Sequence, residues 1–237
     1  MSALIIGIRI RFTKEEPVKY MSHLDTLKMF ERALRRAAIH ITHSQGFNPH
    51  AHMVFGLPLQ VGVTSEAEYA DFEFGEGSKL TPDDFVENLN QVMPEGIRIT
   101  GGAAMRTRAN IMSCVTMAAM NVTVKTEAAD FMPKVDGFIA QKEIQVERRT
   151  KNGTRTVDIR PMIDSIECAD IGKSRYILEM KLDAGSVSNL KPDAVVEGLR
   201  IFTGSPVEIS SIHRTALFVK KNDRIMDPMS VEALTDE

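Results

Sequence analysis

Two segments of the chain, 110 residues apart, can be aligned over their full length and constrain the fold more than any other feature. They are TPDDFVENLNQVMPEGIRI (81–99) and KPDAVVEGLRIFTGSPVEI (191–209), with six identical positions. Each places proline in the first turn of a helix, where its missing N–H sacrifices no hydrogen bond, and adds acidic residues there. Each then passes through a Gly/Pro break into an alternating strand. This shared helix-start chemistry predicts an internal duplication.

The elements that flank the repeat predict the same plan in both halves. A strand, a helix and two further strands precede the repeated helix and strand, which gives β-α-β-β-α-β, the split βαβ or ferredoxin-like plan. We therefore expect an α+β fold of tandem duplicated ferredoxin-like domains with hairpin additions. The expected bounds are 1–104 for the N-terminal domain, 105–116 for a linker, 117–221 for the C-terminal domain and 222–237 for an acidic flexible tail.

The overall charge removes one argument for nucleic-acid binding. A formal net charge of −3 over 237 residues gives no general attraction to polyanions, so such binding would need local clusters of Lys and Arg. The two cysteines, Cys114 and Cys168, lack metal-site spacing, which is typical of free thiols in a reducing compartment. No apolar run reaches spanning length and no signal-peptide cleavage site is evident, so we expect a cytoplasmic location.

The predicted first helix, SHLDTLKMFERALRRAAI, carries a basic stripe opposite its apolar face. Four cations recur at i, i+4, i+7 and i+8 on that side: Lys28, Arg32, Arg35 and Arg36. The stripe fits a surface that follows a phosphate backbone, and it equally fits an ordinary solvated helix face.

A second basic cluster surrounds a predicted hairpin tip at Lys-Asn-Gly. Its members are Arg148, Arg149, Lys151 and Arg155, and Arg160 lies farther along the same arm. Arginines on a protruding hairpin suit bidentate contacts with phosphate or insertion into a groove. They also suit plain solubility, because hairpin tips are exposed.

Four of the six histidines fall within HITHSQGFNPHAHM (40–53). As metal ligands His43, His50 and His52 are weak candidates, because the spacing is irregular and no Asp or Glu lies between Glu31 and Glu66. As an acid–base group His23 is the candidate, since it lies at a helix N-terminus, where the dipole favours neutral imidazole. No feature of the sequence specifies its catalytic partner.

The same segment also predicts a binding loop. Gln45–Pro49 is a turn with a flexible glycine, and an exposed Phe47 flanked by His50 and His52 could stack on unpaired bases. Phe47 could equally fill the core beneath the loop. The sequence has no P-loop, no other nucleotide-binding glycine motif, no nucleophile elbow and no Fe–S cysteine triplet, so we expect no cofactor.

Three stretches resemble a known family: VKYMSHLDTLKMFERALRRA, HSQGFNPHAHMVFGLPLQVGVTSEAEY and VERRTKNGTRTVDIRPMI. They are similar to the radical-SAM-linked protein family, a domain of unknown function, from about Leu4 to about Phe218, and SQGFNP and DIRP are specific to it. The chain lacks the CxxxCxxC motif, so it resembles the stand-alone accessory form. The resemblance implies association with a radical SAM enzyme and suggests RNA modification. It carries over no catalytic residue.

These observations lead to one functional prediction and two alternatives. The prediction is a non-catalytic RNA-binding accessory protein that works with a radical SAM protein and contacts structured RNA. The first alternative is a metal-independent ribonuclease that uses His23 as general base. The second is a protein–protein adaptor that makes no contact with RNA.

Overall fold

The structure, a computed structural model, describes residues 5–47, 49–75, 78–107, 109–150 and 153–235, and of residues 148–150 it describes the backbone alone. The chain divides into two compact units. The first comprises 1–115 with 216–237, and the second comprises 116–215. Within the described ranges no helix is both long enough and apolar enough to cross a membrane.

The chain contains six α-helices and eleven strands within the described residues. In order they are β1 (Gly7–Lys14), α1 (His23–Arg36), β2 (Met53–Phe55), β3 (Thr64–Glu73), α2 (Pro82–Asn90), β4 (Ile99–Met105), α3 (Ile111–Cys114), β5 (Val115–Lys125), α4 (Phe131–Ile139), β6 (Gln145–Thr150), β7 (Gly153–Asp158), β8 (Ile163–Gly172), β9 (Arg175–Asp183), α5 (Pro192–Thr203), β10 (Glu208–Lys221), β11 (Arg224–Met226) and α6 (Val231–Leu234). Short 3-10 helices occupy Glu16–Val18 and Arg160–Met162.

The first unit is built on an antiparallel sheet with the strand order β4-β1-β3-β2. In the register of β1, Ile10 lies opposite Ala70 of β3 and opposite Gly102 of β4. Phe55 of β2 also lies opposite Ala70. Because side chains alternate along a strand, buried apolar residues such as Ile8 of β1 and Phe72 of β3 share one face, against which α1 and α2 pack.

Aromatic rings form the centre of this core. Phe30 of α1 lies 5.1 Å from Phe12 and 5.2 Å from Phe55 between ring centroids. It lies 5.8 Å from Phe72, which in turn lies 5.1 Å from Phe85 of α2. The rings meet in edge and tilted geometries, which are favoured over face-to-face stacking. The cluster therefore fixes α1 on the sheet.

The second unit, which includes residues 208–215 of β10, has the strand order β10-β5-β9-β8. Helices α4 and α5 contact each other through Phe138 and Phe202. The pairs β5–β9 and β8–β9 are antiparallel. Strands β6 and β7 form a separate two-stranded hairpin. The Lys-Asn-Gly turn predicts this hairpin. No comparable pattern marks β8, whose outward residues are largely polar and exposed.

Each of the two matched segments forms a helix followed by a strand. The first forms α2 and leads into β4, and the second forms α5 and leads into β10. Their matched positions are core positions, since Phe85 and Leu89 are buried in α2 and Val195 and Leu199 are buried in α5. The matched positions are therefore positions at which these helices contribute to the core.

The structure differs from the expected linker and flexible tail, because both segments pack within the first unit. Ile111, fully buried, donates its N–H to Asp71 Oδ2 at 2.7 Å. Leu234 of α6 is buried, and its carbonyl accepts the N–H of Arg106 at 2.8 Å. Tyr69 donates its hydroxyl to Asp227 at 3.3 Å. Burial, with the Asp227 carboxylate as a further cause, raises the pKa of Tyr69 well above its ordinary value.

A buried ion pair joins these segments to the sheet. Arg9 donates to Asp71 through Nε at 2.6 Å and through Nη2 at 3.0 Å, with side-chain exposures of 0% and 3%. It also donates to the carbonyls of Pro228 at 3.0 Å and Ala109 at 3.4 Å. One guanidinium thus contacts β3, the expected linker and the expected tail.

Candidate functional site

Helix α1 presents its basic stripe to solvent because its opposite face is held in the core. Ser22 caps the helix by accepting the N–H of Asp25 at 3.2 Å and donating to its carboxylate at 2.6 Å. The hydrogen bond from the Ser22 hydroxyl to the carboxylate is the main cause that lowers the pKa of Asp25. Phe30, Ala33 and Leu34 are buried. The four cations at i, i+4, i+7 and i+8 are all exposed: Lys28, Arg32, Arg35 and Arg36.

Three of these cations line a surface cavity of about 400 Å³, which we call the cation cavity: Lys28, Arg32 and Arg36. Arg36 Nη2 donates to the carbonyl of Val92 at 2.6 Å, just beyond the C-terminal end of α2. That contact orients Arg36 within the cavity. Lys28 and Arg32 are exposed, as contacts with a phosphate backbone require.

The fourth cation, Arg35, lines a different cavity, also of about 400 Å³, which we call the histidine cavity. Three histidines of the 40–53 segment line it, together with one carboxylate from α1: His40, His43, His50 and Glu31. His40 and Glu31 are binding candidates that the sequence pattern alone does not single out. The available signal was Glu31 four residues before Arg35, a spacing that places both on one side of a helix.

The SQGFNP loop joins the histidine cavity to an exposed aromatic ring. The Ser44 N–H donates to the carbonyl of His50 at 2.8 Å, and the His50 N–H donates to Ser44 Oγ at 3.0 Å. Phe47 lies at the tip of this closed loop and is fully exposed. It therefore does not fill the core. HITHS, expected as a strand, forms only an isolated bridge between His43 and Ala51, and Asn48 lies outside the described residues.

The histidines proposed as weak metal ligands are divided between two cavities. His43 and His50 line the histidine cavity, whereas His52 lines another and pairs with Glu73 at 3.1 Å. Across the part of the chain that the structure describes, no group of three His, Cys, Asp or Glu residues is arranged to hold a metal ion. Backbone hydrogen bonds hold His52 beside Glu73, because the His52 N–H donates to the carbonyl of Thr42 at 2.8 Å and the His52 carbonyl accepts the N–H of Glu73 at 3.1 Å.

His23 occupies the first turn of α1 and is half-buried. Its ring lies edge-on to Phe55, with centroids 5.9 Å apart. It lines a cavity of only about 20 Å³ together with Lys14, Thr26 and Glu68. That volume is enough for about one water molecule and far too small for a nucleotide. This arrangement favours a packing role for His23 over general-base catalysis on RNA.

The second basic cluster lies on the β6–β7 hairpin. Arg155 is exposed, as are its neighbours on β7, and Arg148 occupies the position opposite it in the register. Lys151 lies outside the described residues, as do the side chains of Arg148 and Arg149. The grouping of this cluster therefore stays a prediction.

The DIRP stretch anchors the base of this hairpin. Asp158 Oδ1 accepts the N–H of Ile144 at 2.8 Å and the N–H of Arg160 at 3.0 Å. Arg160 donates to the carbonyls of Ile139 at 2.8 Å and Ile163 at 2.9 Å, and Ile159 is fully buried. Arg160, counted by sequence with the basic arm, is therefore engaged in holding α4 and β8.

Asp158→Ala is expected to lower the free energy of unfolding by about 1–3 kcal/mol, since two backbone donors would lose a charged acceptor. Denaturation in urea measures this loss, and faster tryptic cleavage at the hairpin arginines should accompany it. Asp164→Ala is the matched control, because Asp164 is exposed and pairs with Lys181 at 3.4 Å across the surface. Equal effects of the two substitutions would contradict the anchoring role.

Comparison with known proteins gives a family match and a fold similarity. A family model described as "Uncharacterized protein conserved in bacteria (DUF2344)" matches residues 7–192. No curated protein matches the chain. A chain of a Cbf5-Nop10-Gar1 complex is similar at a TM-score of 0.54 and 11% identity, over 91% of this chain and 50% of that one.

A second similar solved structure is an H/ACA RNP bound to a substrate RNA containing 2'-deoxyuridine. It matches at a TM-score of 0.51 and 11% identity, over 90% of this chain and 48% of that one. This chain thus spans about half the length of the solved chains that it matches. At such identity the similarity concerns the fold alone, here an α+β fold with mostly antiparallel sheet.

Proposed function

The chain belongs to this uncharacterized bacterial protein family, and we propose that it is a non-catalytic RNA-binding accessory protein that works with a radical SAM enzyme. One observation carries the RNA-binding part: the exposed face of α1 gathers four cations next to a loop that presents a fully exposed aromatic ring. The four cations are Lys28, Arg32, Arg35 and Arg36, and the ring is Phe47.

This combination suits RNA because it supplies both kinds of contact that RNA offers. Exposed Lys and Arg side chains neutralise phosphates, and an exposed aromatic ring stacks on an unpaired base. The cations are concentrated on one helix although the chain has a net charge of −3, so the charge is locally organised. One structurally similar chain comes from an RNP bound to a substrate RNA, which agrees with the proposal.

The radical SAM partner is supported by the sequence resemblance of the SQGFNP and DIRP stretches. The chain itself has no CxxxCxxC motif, so the partner would supply the cluster chemistry and this chain would supply contact with RNA. Co-purification of the two proteins, with and without nuclease treatment, tests the association. Loss of the partner after nuclease treatment would indicate that RNA bridges the two proteins.

We also propose that the two units descend from tandem duplication of one ferredoxin-like domain. The order β4-β1-β3-β2 in the first unit and the order β10-β5-β9-β8 in the second support this proposal. In each unit, a helix follows the first strand along the chain, and a second helix precedes the last strand. The matched segments at 81–99 and 191–209 support it further.

Reversing two cations of the stripe should weaken RNA binding and its dependence on salt. For Lys28→Glu/Arg32→Glu we expect at least a roughly tenfold loss of affinity for a structured RNA, from lost charge-assisted contacts. The slope of log affinity against log salt should fall by about 2. Fluorescence anisotropy with a labelled tRNA transcript at several salt concentrations measures both. Lys79→Glu/Arg98→Glu is the matched control, with the same charge change at exposed positions on other segments.

A second arm of the same assay tests the hairpin. Reversal of Arg148, Arg149 and Arg155 to Glu should weaken binding in a salt-dependent way if the hairpin also contacts RNA. No measurable affinity of the unmodified protein for tRNA or rRNA fragments at low salt would reject RNA binding and leave the adaptor alternative. Cleavage of RNA in EDTA, abolished by His23→Ala, would support the ribonuclease alternative instead.

A further inference from the structure

We propose that the histidine cavity receives one unpaired nucleotide of an RNA, an inference that rests on the proposed RNA binding and narrows its ligand. The cation cavity and the histidine cavity are lined by different residues of α1. The cation cavity is lined by three cations, the carboxylate of Asp25 and apolar side chains, and its described lining contains no histidine. The histidine cavity is a pocket lined by apolar, cationic, anionic and imidazole side chains, which a base and its ribose phosphate can enter.

The size and floor of the histidine cavity suit a nucleotide. Its volume of about 400 Å³ lies within the range of small-molecule sites, roughly 300–1,000 Å³. Buried apolar side chains form its floor: Leu34, Ile39 and Ile41. An apolar floor removes a planar base from water without leaving polar groups unpaired. Because these residues also belong to the core, the floor is fixed before a ligand arrives.

The polar groups around the cavity distinguish a nucleotide from a simple anion. The guanidinium group of Arg35 has several N–H donors in one plane, an arrangement that suits phosphate. Glu31, when ionised, only accepts hydrogen bonds, and a carboxylate next to a bare phosphate or sulfate would repel it. A nucleotide has donors for Glu31 in its ribose hydroxyls and exocyclic amino groups, and a phosphate for Arg35.

His43 has a defined hydrogen-bonding role in this cavity. Its Nδ1 lies 3.1 Å from the carbonyl oxygen of Ile41, which can only accept, so Nδ1 carries the proton. Nε2 of the neutral ring is then an acceptor, which adds to the acceptor of Glu31. The exposed rings of His40 and His50 complete the rim and can act as donors or acceptors.

The loop geometry explains why the nucleotide should be unpaired. His50 is positioned by its two hydrogen bonds with Ser44, and Phe47 stands three residues before it at the exposed tip. When one base occupies the cavity, the adjacent base of the same RNA strand is therefore available to stack on Phe47. Bases within an RNA duplex remain stacked on each other and cannot enter such a cavity.

Two RNA probes and two protein variants test the inference. The probes are a hairpin with a seven-nucleotide loop and a blunt duplex with the same stem. For His40→Ala/His50→Ala we expect roughly tenfold weaker binding of the loop RNA, the effect of about one lost charge-assisted hydrogen bond. Binding of the duplex should change less than twofold. His52→Ala is the control, since His52 comes from the same segment but lines another cavity.

A direct titration separates failure of this inference from failure of RNA binding in general. Adding the four 5'-mononucleotides to the unmodified protein should shift the imidazole NMR signals of His40, His43 and His50, and should leave that of His52 unmoved. If the protein binds neither RNA probe, the proposed function fails, and the titration still decides whether a nucleotide enters the cavity. Absence of any shift, or equal losses for both RNA probes in the double variant, would overturn the inference.

Discussion

Replacing Asp71 with alanine should lower the free energy of unfolding by about 3–5 kcal/mol, the range for breaking a buried ion pair by removing one partner. The side chain of Arg9 is 0% exposed and donates twice to Asp71, so Asp71→Ala leaves its charge in the core with only two carbonyl contacts. The buried N–H of Ile111 also loses its acceptor, Asp71 Oδ2.

Denaturation in urea at neutral pH measures the effect, and two further variants show its cause. Arg9→Met/Asp71→Leu should be more stable than Asp71→Ala, because an apolar pair leaves no uncompensated charge. Glu16→Ala is the control for an exposed pair: Glu16 contacts Lys19 at 2.7 Å on the surface, where solvent screens the pair, so its loss should change stability little. A loss for Asp71→Ala as small as that of the control would refute the role of the pair.

The same pair explains why the tail was misinterpreted from sequence. Composition predicted an acidic flexible tail, because the segment carries five acids and a single arginine from residue 222 onward. Its docking depends instead on main-chain carbonyls, such as that of Pro228, and on the buried Leu234. A carbonyl is present at every residue, so no pattern in the sequence marks the one that accepts from Arg9.

Periodicity made the rest of the fold easier to predict. The helices at Pro82–Asn90 and Pro192–Thr203 follow from proline at the start and apolar residues at helical spacing. Strand β8 was missed because most of its residues outside Ile163 and Ile166 are exposed or only partly buried, so alternation is weak. The β6–β7 hairpin was recognised from Lys-Asn-Gly, but its separation from the main sheet depends on long-range packing.

The candidate site was predictable from the sequence only in part. Helical spacing gave the basic stripe on α1, including the exposure of its four cations. The separation of His52 from His43 and His50 was not predictable, because it depends on pairing between β2 and β3. The exposure of Phe47 depends on the closed loop between Ser44 and His50, since a phenylalanine in a turn is compatible with either outcome.

The site depends on the core through one side chain, and Phe30→Ala should cost about 3–5 kcal/mol of unfolding free energy. Phe30 is fully buried and contacts the rings of Phe12, Phe55 and Phe72. Truncation removes the transfer free energy of the ring and leaves a cavity between α1 and the sheet. The amide hydrogens of α1 should exchange faster as a consequence, because the helix has lost its main attachment.

Two substitutions on the same helix control for the effect. Leu24→Ala removes a side chain that is 65% exposed and should change stability by less than about 0.5 kcal/mol. Phe30→Leu keeps most of the apolar volume and should fall between the two. Leu34 of this helix forms part of the floor of the histidine cavity. Phe30→Ala should therefore also weaken binding of the loop RNA at temperatures near the unfolding midpoint of the variant protein. Equal losses of unfolding free energy for Phe30→Ala and Leu24→Ala would show that the aromatic cluster does not hold α1 on the sheet. The positions of both cavities would then not depend on that cluster.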